Sequence, residues 1–178
     1  MLPCAVPHPG TVDNTLNEED RMQAKVKFLG HPVHQMLVVF PLGLLGASVV
    51  FDLIHQVTQL PEMAGVAYWM TVSGIVAGLV AAPFGWIDWL AIPKGTRAKA
   101  VGLTHGLGNV IVLLLFALSW FLRRELPTAP GWDATAAGLA GLLLSLVTAW
   151  LGGELVDRLG VGVYADAHPD APNSLRWR

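Results

Sequence analysis

Charge is what this sequence most lacks. Asp, Glu, Lys and Arg make up 13% of its 178 residues, about half the ~25% usual in a soluble domain. The scarcity is also uneven: residues 35–51, 63–87, 100–122 and 134–153 contain no charged side chain. Cysteine is nearly missing as well, and Cys4 alone excludes an intrachain disulfide. No basic patch interleaved with aromatics is present, which argues against nucleic acid as a partner. Nor is there a nucleophile elbow, a phosphate-binding loop or a Cys/His dyad, so an enzyme is the least supported class. Residues 1–27 carry Glu18, Glu19 and Asp20 where a secretory signal would be basic and then apolar. The first apolar run is therefore expected to be a permanent helix.

What is present is long and apolar. Each uncharged run is near the ~20 residues that a helix needs to cross a ~30 Å hydrocarbon core. Trp69, Trp86, Trp89, Trp120, Trp132 and Trp150 lie near several run ends, as expected of rings at the membrane–water boundary. The reading is an all-α integral membrane protein, an up-down bundle of four transmembrane helices over about 34–56, 65–90, 101–122 and 134–153. Residues 1–28 are expected to form a polar tail with a short amphipathic helix, 29–158 the membrane domain, and 159–178 a second tail. Nine of the 11 basic residues fall in the tails or the link between the second and third spans; only Arg123 and Arg124 fall on the other side. Basic residues in short flanking segments favour the cytoplasm. Both termini are thus expected to be cytoplasmic, in a bacterial inner membrane.

That topology gathers polar residues at one end. His31 and His34 open the first span, Asp88 closes the second, His105 and Asn109 open the third, and Glu154 and Asp157 follow the fourth. Ionisable side chains within spans are costly and usually face the bundle interior. Pro32 suits a first helical turn, and Pro41 is expected to kink the first helix by removing the bond to the Leu37 carbonyl. Pro83 is expected to do the same in the second. Gly74 and Gly78, and Gly102 and Gly106, place small residues four apart, which allows close crossings in lipid; Gly106 beside His105 predicts one at that imidazole. At the other end, Asp52, Arg123 and Arg124 read as end or loop residues, and His55, with no histidine on a neighbouring span end, as a surface residue.

Two chemistries fit the cluster. In one, His31, His34, Asp88, His105 and Glu154 supply the ligands of a metal ion, for which imidazole and carboxylate are suitable donors. In the other, His34 and His105 are the two axial ligands of one b-type haem held between the first and third helices. Either would make the protein a redox-linked or accessory membrane subunit in contact with the lipid bilayer. The competing reading has no cofactor: a structural subunit of a larger respiratory or photosynthetic membrane complex. A proton path across the membrane is disfavoured, because mid-span polarity is limited to Ser and Thr hydroxyls such as Ser48, Thr71, Ser119 and Thr148.

Four stretches carry a family resemblance: "GHPVHQMLVVFPLGLL" from Gly30, "GWIDWLAIPKGTRAKAVGLTHGLGN" from Gly85, "LSWFLRR" from Leu118 and "GGELVDRLGVGV" from Gly152. Together they resemble a bacterial family of predicted membrane proteins, domain of unknown function 2231. The family's polar positions match His31, His34, Asp88, His105 and Glu154, and its second His is often followed by Pro where Gln35 stands here. Some members are joined to Rieske iron–sulfur domains, which implies a redox setting. This chain carries no Rieske-type Cys and His pairs, so the resemblance implies no cluster in it.

Overall fold

The computed structural model describes residues 22–175. Near its start, β1 (Lys27–Phe28) and β2 (His31–Pro32) pair antiparallel. Leu29 and Gly30 turn between them with φ of 50° and 85°, the double left-handed conformation of a tight hairpin. Residues 23–28 are bends and strand rather than the helix expected there; the earlier part of that expected helix lies outside the described residues.

Pro32 then opens α1 (Val33–Leu37), and α2 (Val39–Thr58) follows after a break at Val38. The break is where Pro41 predicts it, since its missing N–H leaves the Leu37 carbonyl without a helical partner. Gln59 ends α2 in the left-handed conformation, φ 58°, and its N–H bonds the His55 carbonyl at 2.7 Å. Leu60 and Pro61 start α3 (Pro61–Ala91), with proline in the first turn where its missing donor is no loss. Helix α3 runs through Pro83 without interruption, in contrast to α2. In the next link the Thr96 hydroxyl accepts from the Lys99 N–H and caps α4 (Arg97–Arg123). Helix α5 (Trp132–Gly153) ends in a wide π turn, Glu154–Arg158.

Four helices are long and apolar enough to cross a membrane: Val33–Thr58, Pro61–Ala91, Arg97–Arg123 and Trp132–Arg158. They form an all-α, up-down-up-down bundle. Helices α2 and α3 pack along their length as one hairpin and α4 and α5 as a second, with fewer contacts between the two hairpins. The core sits on the bundle axis, where Leu45 and Val49 of α2 meet Val112 and Phe116 of α4. Outward-facing Leu, Val and Trp side chains are exposed, including Leu79, Leu114, Leu143, Trp69, Trp86 and Trp150, as suits a lipid-facing surface.

Close approach follows the first glycine pair and only part of the second. A Cβ at Gly74 would stand 2.6 Å from the Leu45 side chain, and one at Gly78 2.7 Å from Leu113. Gly102 abuts Trp89 in the same way, but Gly106 has nothing within 4 Å, so no crossing occurs beside His105 at that residue. The helix approach there is made by Gly108, against Thr148.

Candidate functional site

His34 and His105 are held in the same manner by different hairpins. His34 Nδ1 lies 3.1 Å from the Ala81 carbonyl oxygen of α3, and His105 Nδ1 lies 2.9 Å from the Thr148 carbonyl oxygen of α5. A carbonyl only accepts, so each neutral ring carries its proton on Nδ1 and a lone pair on Nε2. Each ring also rests on a glycine one helical turn beyond its anchor. A Cβ at Gly85 would meet His34 Cε1 at 2.6 Å, and one at Gly152 would meet His105 Cε1 at 3.2 Å. Both imidazoles are half-buried. The Nε2 of His105 accepts from the Asn109 amide at 3.0 Å. The Nε2 of His34 has no hydrogen-bond partner among the described residues.

The other three candidates are near the same end and engaged elsewhere. His31 is exposed on β2, with Nε2 3.3 Å from the Ser174 hydroxyl. Asp88 accepts from the Lys25 backbone N–H at 2.7 Å. Glu154, the first residue of the π turn, pairs with Arg97 at 2.6 Å. Among the described residues no three His, Cys, Asp or Glu side chains are grouped as a metal ion would require. Residues 159–175 close this end. The Tyr164 hydroxyl donates to the Gly30 carbonyl at 2.7 Å, the Gly162 N–H to the Met22 carbonyl at 2.8 Å, and Lys27 lies over the Tyr164 ring.

The opposite end corrects the expectation that polarity is gathered in one layer. Asp52 and Arg123 are not loop residues: they form a bidentate ion pair at 2.6 and 2.5 Å, with relative exposures of 2% and 1%. The Ser119 hydroxyl and carbonyl accept further bonds from the same guanidinium, at 3.0 and 3.3 Å. Every polar atom of the pair is thus satisfied, the condition for a buried charge to be tolerated. His55 is likewise buried, not a surface residue, because the turn at Gln59 returns the Leu60 carbonyl to within 2.8 Å of its Nδ1. The sequence offered one signal for the ion pair: Asp52 lies 71 residues before Arg123, the separation that also relates His34 to His105.

The glycine seats give a test of how firmly His34 is placed. Gly85→Ala forces the ring off its anchor and is expected to cost about 1–3 kcal/mol through overpacking. Gly106→Ala fills open space and is expected to be neutral or to gain up to about 1 kcal/mol from helix propensity. Thermal unfolding of both variants in detergent checks the pair. Equal midpoints would refute the close seat at Gly85.

Two imidazoles from separate helices, each with its second nitrogen fixed by a backbone carbonyl, are suited to ligation through Nε2. No match was found among curated proteins or among solved structures. A family model described as a predicted membrane protein matches residues 30–165, which include both imidazoles, both anchors and the buried ion pair. The chain therefore belongs to the DUF2231 family of predicted membrane proteins.

Proposed function

We propose that His34 and His105 are the axial ligands of one b-type haem and that the protein is a redox-linked subunit of a bacterial inner membrane. The observation that carries this reading is the pair of matched imidazoles, each with Nδ1 committed to a neighbouring helix and Nε2 bearing the lone pair. The choice between the two chemistries follows from counting donors. A bare metal ion needs about four protein ligands, whereas His31, Asp88 and Glu154 are engaged by Ser174, Lys25 and Arg97. A haem would bring four nitrogen donors of its own and need only one or two from the protein, which His34 and His105 could supply. When bound, it supplies a one-electron Fe(III)/Fe(II) couple.

The chain's own residues would set the conditions for that couple. The Ala81 and Thr148 carbonyls fix the ring orientation and raise the basicity of the imidazoles. Gly85 and Gly152 let the rings lie against helix backbone. Asn109, already bonded to His105 Nε2, has to turn aside for that nitrogen to act as a ligand. Six of the eight basic residues among the described ones flank this end, which supports a cytoplasmic location for it and for the chain termini. An electron partner would then dock from the cytoplasm or within a larger membrane complex.

The deciding experiment is an absorption spectrum, oxidised and reduced, of protein purified in mild detergent, with elemental analysis of the same sample. A Soret band that shifts on reduction, with one iron per chain, is the expected result. A stoichiometric metal without that band would replace the haem by a metal ion. Neither, in folded protein, would leave the accessory-subunit reading in its place.

A further inference from the structure

The two hairpins are copies of one pattern. Helices α1 and α2 together form a span that runs the same way through the membrane as α4 and corresponds to it at an offset of 71 residues. His34 answers to His105, Leu45 to Phe116, Ser48 to Ser119 and Asp52 to Arg123. Helices α3 and α5 correspond at a constant offset too, with Ala67, Gly74, Ala81 and Gly85 answering to Ala134, Gly141, Thr148 and Gly152. The contacts repeat with the residues. Leu45 seats on Gly74 as Phe116 seats on Gly141, His34 on Gly85 as His105 on Gly152, and each imidazole bonds the carbonyl four residues before its glycine. Ser48 and Ser119 are both 1% exposed, and Ala67 and Ala134 are both 0% exposed. Such a correspondence implies an approximate twofold axis along the membrane normal, between the imidazoles at one end and through the ion pair at the other.

Along that axis one buried level is unlike in sign. Most of the other pairs named here join identical groups, and Leu45 with Phe116 and Ala81 with Thr148 differ in size but not in charge, so at no other named level does charge oppose the pairing of two like hairpins. Asp52 and Arg123 forbid it, because like pairing would bury two carboxylates or two guanidinium groups against each other in a low dielectric. We infer that each hairpin's inner face is an interaction surface for the unlike hairpin, in its own chain or in a second copy, and that the Asp52–Arg123 pair is the element that selects it. Within one chain the short link at residues 92–96 gives the intramolecular partner the advantage of high effective concentration. The pair therefore closes a monomer by default.

The test uses full-length chains with two different affinity tags. D52R and R123D, expressed singly, place like charges on the axis and are expected to yield little folded protein. Expressed together, they offer two correct pairings in trans, and a heterodimer carrying both tags is expected at tenfold or more the folded yield of either alone. The D52R/R123D double variant is expected to recover as a monomer, since Ser48 stands four residues before position 52 as Ser119 stands before position 123. Failure of the double variant to exceed the singles would overturn the pair as selector. Recovery of the double variant without co-purification of the two singles would overturn exchange of hairpins between copies.

Discussion

Replacing Asp52 by leucine alone, or Arg123 by methionine alone, is expected to destabilise the protein by about 3–5 kcal/mol, the usual cost of leaving one member of a buried ion pair without its partner. The surroundings of this pair make the upper part of that range the better expectation. Arg123 and Asp52 are 1% and 2% exposed, and only Ser119 remains to satisfy the guanidinium once the carboxylate is gone. Joint replacement, D52L/R123M, is expected to recover most of the loss, because an apolar pair of similar volume has no desolvation to offset. Thermal or denaturant unfolding in detergent completes the double-mutant cycle, with a coupling energy well above the ~0.5 kcal/mol of independent sites. Additive losses would mean that the two side chains do not act on each other. The apolar pair should also lose the discrimination between like and unlike hairpins while keeping stability, so the two properties separate in one variant.

With His34 and His105 as the proposed haem ligands, alanine at either is expected to abolish the reduced-minus-oxidised haem spectrum while the helical content stays unchanged. Removing a partner that merely orients a ligating imidazole typically weakens binding 10–100-fold. Loss of the ligating nitrogen itself is therefore expected to weaken retention by at least about 100-fold. The two variants should behave alike, because the two rings are anchored alike through Ala81 and Thr148. Haem content by pyridine haemochrome assay and secondary structure by circular dichroism are the measurements. Unchanged haem in either variant, in folded protein, would remove that histidine from the ligand set. Loss in His34→Ala with retention in His105→Ala would refute paired ligation and leave a single axial histidine.

The four spans were legible because lipid imposes a composition that chance does not produce. Their ends were not, and helices α3 and α4 extend past the uncharged runs to Glu62, Arg97 and Lys99. Long charged side chains at helix ends can reach the interface while the backbone stays helical, so an absence of charge underestimates helix length. The break at Val38 followed from Pro41, whereas Pro83 shows that the same residue can be accommodated without ending a helix.

At the candidate site, His34 and His105 stood out as ionisable groups inside apolar helices. Their anchors did not, since the Ala81 and Thr148 carbonyls belong to the backbone and leave no mark on residue choice. Asp52, Arg123 and His55 were misplaced for a related reason. Each lies near a span end, where a charged residue in solvent and one turned inward have the same sequence. For Asp52 and Arg123 only the shared 71-residue offset separates those cases. It depends on comparing the two halves rather than on any local pattern.

The strap over the tail end also bears on the order of biosynthesis. The groups that fasten it, Gly162, Tyr164 and Ser174, bind Met22, Gly30 and His31 at the other end of the described chain. They are synthesised after all four helices. Until then nothing from that segment lies over His31 or Gln35. The contacts that cover this end thus form only once residues 162–174 have been made.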